Sequence, residues 1–229
     1  MIYSKRGISS IILTLSLFFD AANAAAFYTR IINLETSALI ADPVTGLLYA
    51  SIPGTASTAG NSVVPIDPIT SSLGTPIFVG SQPGPLAISD DGATLYVSLD
   101  GAYSVRRVDL TTQAAGIQFP LGDDPFYGPY LAEDIEVEPG NPDVIAVSRK
   151  NIGISPRHAG VAIYDNGVQR PNTTQGHTGS NRIEYSDNSA TVYGYNNETT
   201  EFGFRELVVD NAGITEVNVW RNYISGFSP

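Results

Sequence analysis

The side chains best suited to chemistry are few. The chain has two histidines, His158 and His177, and no cysteine. Histidine changes charge closest to neutral pH, so it is the first candidate for an acid or base in a hydrolytic site. His158 ends the stretch Ile154-Ser155-Pro156-Arg157-His158, and His177 lies in Thr174-Gln175-Gly176-His177-Thr178-Gly179. Glycine, proline and polar residues make both stretches read as loops, where functional residues concentrate. A site built from His158, His177, Arg157 and a strand carboxylate such as Glu136 is therefore one reading. The other, which the scarcity of further ionisable partners favours, is that both histidines are exposed loop residues without a role. The absence of cysteine excludes thiolate metal sites, Cys nucleophiles and disulfides, and leaves packing and strand pairing to hold the fold.

Glu133, Asp134, Glu136 and Glu138 form the densest acidic run, shortly after Asp123 and Asp124. On a strand, alternation places Asp134, Glu136 and Glu138 on one face, where a hard cation such as calcium would find oxygen ligands. No Asp-x-Asp-x-Asp-Gly loop accompanies them, so an acidic solvent-facing or lining surface is the preferred reading. The segment Phe126-Tyr127-Gly128-Pro129-Tyr130 offers either a stacking platform for sugars or peptides or packing material between neighbouring units, with packing preferred. There is no Gly-rich phosphate loop, no G-x-S-x-G elbow, no H-E-x-x-H pair and no basic aromatic patch. With 23 acidic against 12 basic residues, the net charge of −11 is spread along the chain and disfavours nucleic acid and anionic lipid as partners.

The elements that position these residues recur. Leu47-Leu48-Tyr49-Ala50-Ser51, Thr94-Leu95-Tyr96-Val97-Ser98, Val144-Ile145-Ala146-Val147-Ser148 and Thr191-Val192-Tyr193-Gly194-Tyr195 align as one strand, with steps of 47, 50 and 47 residues between Tyr49, Tyr96, Ala146 and Tyr193. Each follows an earlier strand and a turn: Asp42-Pro43-Val44-Thr45-Gly46, Asp90-Asp91-Gly92, Pro139-Gly140-Asn141-Pro142 and Asp187-Asn188. Such residues supply the positive φ and the turn entry that a tight hairpin needs. A third strand closes on Asp67, Asp109, Asp165 and Asp210, which read as turn caps into a fourth strand. No stretch after residue 24 keeps a helical period, so helix is expected to be nearly absent.

Four short strands per unit of this length describe a β-propeller blade. The predicted architecture is all-β, with four-stranded antiparallel blades over about 38–80, 85–122, 132–171 and 181–219 and the start of a further blade at 223–229. Open sheet edges are a hazard. About four blades therefore imply an incomplete ring from a longer propeller, the alternative being a small ring closed by residues between Phe27 and Asn33. Long loops after Asp109 and Asp165 would make the contact surface. At the other end, Lys5 and Arg6, the apolar stretch Ile8 to Phe19 and Ala22-Asn23-Ala24 form a secretory signal peptide over residues 1–24. The apolar stretch is too short to span a bilayer, so the mature domain, 25–229, carries no transmembrane anchor and is expected in the periplasm, at the cell surface or outside the cell.

The hairpin Leu86-Ala87-Ile88-Ser89-Asp90-Asp91-Gly92-Ala93-Thr94-Leu95-Tyr96-Val97-Ser98, running on to Val105 and Val108-Asp109-Leu110, resembles the YVTN-repeat and lactonase-like propellers. The match is looser around Tyr49 and Tyr193 and least around Ala146, where Pro-Gly-Asn-Pro replaces Asp-Asp-Gly. The resemblance implies radial sheets about a channel in proteins that are often exported and often non-catalytic, with some relatives hydrolysing lactones. Two functions follow: a binding or scaffold protein for a protein or carbohydrate ligand, needing no cofactor, or a lactonase-like hydrolase with its site at the channel mouth. The lack of a convergent site favours the first.

Overall fold

The structure is a computed structural model that describes residues 31–177, 179–198 and 203–221. The signal peptide read at 1–24 and the further blade read at 223–229 lie outside the described residues. From Ile32 onward the chain forms one compact unit. Each aligned repeat becomes a four-stranded antiparallel sheet with strands paired in chain order. Blade 1 holds β1 (Ala38–Ala41), β2 (Leu48–Ile52), β3 (Ser62–Ile66) and β4 (Ile77–Phe78). Blade 2 holds β5 (Pro83–Ile88), β6 (Thr94–Leu99), β7 (Ser104–Asp109) and β8 (Ala114–Pro120), followed by a small hairpin of β9 (Asp123–Asp124) and β10 (Gly128–Pro129). Blade 3 holds β11 (Leu131–Glu138), β12 (Asn141–Lys150), β13 (His158–Asp165) and β14 (Val168–Gln169). Blade 4 holds β15 (Arg182–Tyr185), β16 (Thr191–Asn196), β17 (Gly203–Asp210) and β18 (Gly213–Arg221). Among the described residues the only helical turn is a 3-10 turn at Asp100–Ala102.

The two-residue period of each strand decides which neighbour a side chain meets. In β6, Leu95 and Val97 face blade 1, where they pack with Tyr49, Val63 and Ile77, beside Val108 of their own blade. Tyr96 points the other way, into a core shared with Ile135, Val147 and Tyr164 of blade 3. Blade 3 and blade 4 meet through Ala146, Val161 and Ile163 against Ile183, Val192, Leu207 and Ile214. Each large apolar side chain so enclosed contributes about 1.5–3 kcal/mol. Hydroxyls add direction: Ser51 donates to the Gly84 carbonyl at 2.8 Å and Ser148 to the Ser180 carbonyl at 2.7 Å, each reaching the next blade. The Tyr96 hydroxyl donates to the Pro142 carbonyl at 2.8 Å. The inner strands β1, β5, β11 and β15 touch in sequence, and the four sheets do not close into a ring.

Antiparallel pairing sorts the connections into two rims. The turn rim carries the reversals between first and second and between third and fourth strands. There Asp42 accepts from the backbone N–H of Val44 and Thr45, Asp67 from Ile69 and Thr70, Asp109 from Thr112, and Asp210 from Ala212 and Gly213. Asp165 departs from the expected turn cap, because Arg170 returns to it and donates through Nε and Nη2 at 2.9 and 2.8 Å. The connections after Asp109 and Asp165 are tight turns into β8 and β14, not the long loops expected from sequence. Of the longer segments, 67–76 lies on the turn rim, 53–61, 121–130 and 151–157 lie at the opposite end, the loop rim, and 170–177 runs from one to the other, beginning where the Asn172 N–H donates to the Ala212 carbonyl at 2.7 Å.

Blade 3 shows why one of them is pinned. Its fourth strand is only two residues long, and residues 170–177 run along the β13 edge in its place. The Arg170 N–H donates to Ile163, Thr174 to Val161 and His177 to His158, all to carbonyls at 2.8–3.0 Å. The approach is close enough that a Cβ on Gly160, whose φ is +84°, would lie 2.2 Å from the Thr174 carbonyl oxygen.

Candidate functional site

The densest polar cluster lies where blades 3 and 4 meet at the loop rim. A register shift in β11 between Ala132 and Asp134 puts Glu133 at a bulge, which breaks the alternation and turns an extra side chain inward. Its carboxylate, 5 % exposed, accepts from Arg157 Nε at 2.9 Å and from Arg157 Nη2, and from Asn181 Nδ2 at 3.2 Å. Glu198, after β16, is its counterpart: it accepts from the N–H of Arg157 at 2.6 Å, the N–H of His158 at 3.2 Å and Asn181 Nδ2 at 3.1 Å. Burial pushes the Glu198 carboxyl up, but these donors and the Arg157 charge outweigh it and hold the group below the usual carboxylate range. The hydrogen bond from Arg157 to Glu133 leads the effects that raise the guanidinium's pKa. The result is a paired network in which one guanidinium bridges two blades.

His158 corrects the sequence reading. It is the first residue of β13, not a loop residue, and is 1 % exposed. Its Nδ1 lies 3.4 Å from Ser148 Oγ, while Nε2 is enclosed without a hydrogen-bond partner. Burial leads the effects that bring its pKa down to about 4, so the ring is neutral at ordinary pH. His177 is exposed and joins His158 through the backbone only. Arg149 is buried along the blade 2 side, over the Tyr130 ring at 4.5 Å, and donates to the Ala159 carbonyl and Gln169. The histidines, Arg157 and Glu136 are thus neighbours in the fold without converging on one point.

The acidic run behaves likewise. Asp134, Glu136 and Glu138 do share a face, the one turned to blade 4. Asp134 accepts from the Ile183 N–H at 3.0 Å and pairs with Arg182, whereas Glu138 accepts from Asn141 Nδ2 at 2.8 Å. Glu136 lies between them, and burial, followed by the charges of Glu184 and Asp134, pushes it up to about 8. Among the described residues no three His, Cys, Asp or Glu side chains are gathered closely enough to hold a metal ion, and no helix is long and apolar enough to cross a membrane.

The aromatic segment divides. Tyr130 packs against the core between blades 2 and 3, while Phe126, 89 % exposed, and Tyr127 project from the β9–β10 hairpin, whose tip Asp124 fixes by accepting from both of their N–H groups. Glu133, Glu198 and Asn181 were not marked as site residues by the sequence, where Glu133 stood only as part of the acidic run.

No protein-family model matches the chain, and no curated protein does. Among solved structures the fold is similar to Kuenenia stuttgartiensis hydrazine synthase, with a TM-score of 0.60 and 17% identity over 85% of this chain and 53% of that one. It is also similar to the dihydro-heme d1 dehydrogenase NirN in complex with DHE, with a TM-score of 0.58, 14% identity and coverage of 86% and 39%. A third is the β-propeller domain of Myceliophteria thermophila Cps50 (Swd1), with a TM-score of 0.55, 14% identity and coverage of 81% and 56%. The chain spans about half the length of the structures it matches. At such identities these likenesses speak for the fold, and with four sequentially packed four-stranded sheets they make it that of a β-propeller.

Proposed function

We propose that the chain is the blade set of an exported, non-catalytic propeller that meets a protein partner at its loop rim. One contrast carries the reading: Glu133, Arg157 and Glu198 of that rim are paired with one another and the His158 ring is enclosed, while Phe126 and Tyr127 stand out from it. An aromatic knob on a rigid hairpin suits insertion into a partner's pocket, where such anchors supply much of the binding energy. Export rests on the signal read at residues 1–24, and kinship with the YVTN-repeat propellers on the hairpin around Tyr96. Hydrolysis would need a base that substrate can reach.

The test is binding of the purified chain to extracellular protein fractions on a biosensor surface, beside a turnover assay on a lactone panel. Binding lost in the double variant Phe126→Ala, Tyr127→Ala and kept in Val44→Ala, on the turn rim, supports the reading. Binding indifferent to Phe126 and Tyr127, or lactone turnover abolished by His158→Ala, overturns it.

A further inference from the structure

Two departures from the blade pattern fall together between blades 2 and 3. Blades 1 and 2 are joined by residues 79–82 alone, whereas residues 121–130 insert the β9–β10 hairpin before blade 3. On the second strands, the residues that follow Ser51 and Ser98 are Ile52 and Leu99, both fully enclosed. The residue that follows Ser148 is Arg149, which is 5 % exposed. The β12–β13 register also shifts between Ser148 and Lys150, an irregularity that the pairs β2–β3 and β6–β7 lack.

Arg149 is a buried cation that, among the described residues, no carboxylate meets at ion-pair distance. Its partners belong to the base of the hairpin and to blade 3. The guanidinium carbon lies 4.5 Å from the centre of the Tyr130 ring. Nη1 donates to Gln169 Oε1 and Nη2 to the Ala159 carbonyl, both at 3.2 Å, so two bonds from blade 3 fix the fork. The Tyr130 N–H donates to the Gly122 carbonyl at 3.0 Å and closes the hairpin, while the Leu121 carbonyl accepts from the Tyr164 hydroxyl at 2.9 Å. Both ends of the inserted segment are thereby tied to blade 3. An aliphatic side chain such as Ile52 or Leu99 would fill the space without the cost of a buried charge. It would lack both hydrogen bonds and the electrostatic attraction to the ring face.

We propose that Arg149 is a positioning residue for the Phe126–Tyr127 tip, holding the β9–β10 hairpin in one orientation from blade 3. The inference rests on the reading of that tip as the contact surface and names what keeps it ready. Phe126 is 89 % exposed, so its own ring has little to rest on. Asp124 shapes the turn, but its bonds to the Phe126 and Tyr127 N–H groups stay within the hairpin. Orientation relative to the blades therefore comes from the base, where Leu121 meets Tyr164 and Tyr130 meets Arg149. A tip that is already ordered loses less conformational freedom on binding, and its partner is released more slowly.

The test, in the full chain, removes the contact at the base and leaves the tip intact. Arg149→Leu restores the kind of residue that blades 1 and 2 carry, and Tyr130→Leu removes the ring from the other side. Each is expected to speed hydrogen exchange of the Tyr130 amide, and chymotryptic cleavage after Phe126 and Tyr127, by roughly tenfold, while amides in β6 keep the parent's rates. Tyr130→Phe keeps the ring and should behave as the parent, and the two leucine changes together should loosen the tip no further than either alone. A partner bound through Phe126 should leave the Arg149→Leu chain faster than the parent. The proposal is overturned if tip exchange and cleavage stay at the parent's level in both leucine variants, if the β6 amides loosen in the same proportion, or if a Phe126-dependent partner leaves both chains at one rate. Should nothing bind through Phe126, the contact reading falls by itself, and exchange and cleavage still decide whether Arg149 positions the hairpin.

Discussion

The two rims of these sheets solve the same problem, how to satisfy polar groups at strand ends, in different ways. On the turn rim the solution is mostly local: Asp42, Asp67, Asp109 and Asp210 accept from N–H groups two or three positions ahead. The ion pair between Arg107 and Asp143, at 2.5 Å, is an exception that crosses blades. On the loop rim, Glu133, Arg157, Asn181 and Glu198 meet from positions 17 to 48 residues apart. Local satisfaction makes a rim that each blade can build alone. Distributed satisfaction makes a rim that exists only once blades 3 and 4 have docked.

The sharpest way to break the loop rim is Gly160→Ala. A Cβ there meets the Thr174 carbonyl and sits on a left-handed backbone, so about 3 kcal/mol of stability should be lost, read as a shift of the urea midpoint. Glu133→Ala comes next. It removes one of the two carboxylates that the Asn181 amide and the half-exposed Arg157 guanidinium meet, leaving Glu198 as the other, and after allowance for solvent around Arg157 the loss is about 2 kcal/mol by the same measurement. An unchanged midpoint would mean that the network is decoration.

The turn rim should be less sensitive. Asp42→Ala removes the acceptor of two N–H groups and of the Thr45 hydroxyl from a nearly buried site, for a loss of about 1 kcal/mol. The smallest effect at acid pH belongs to Glu136→Gln. Glu136 has a folded pKa of about 8, above its unfolded value, so the protonated group favours the fold and its stabilisation is lost as pH rises from about 4.5 through 8. The variant should match the parent near pH 4.5 and exceed it increasingly up to about pH 8, above which the difference levels off. Parallel stability curves would show that Glu136 is not held between the blades. His158 has the opposite slope: its lowered pKa gives stability that is present above 6.5 and lost as pH falls through about 4.

These differences also explain what the sequence could show. The turns and the strand around Tyr49, Tyr96, Ala146 and Tyr193 depend on neighbours a few residues away, and their types announce them. The place of His158 does not: proline and glycine before it suggest a loop, yet the residue belongs to a strand whose edge is covered by residues up to Thr174 and His177. Asp165 misled for a similar reason, because Arg170 competes for a carboxylate that the local pattern assigns to a turn. Glu133 needed the β11 bulge, which cannot be read from spacing within one segment.

Because β1, β5, β11 and β15 touch only in sequence, the molecule is coupled as a linear array. Among the described residues blades 2 and 3 are packed on both faces and blades 1 and 4 on one, so in this chain loss of structure travels inward from the outer blades like a row of stacked plates coming apart. Amide protons of β16 and β17 should therefore exchange with solvent ahead of those in β6 and β12, and a pull applied at the blade 4 end would release blades one at a time.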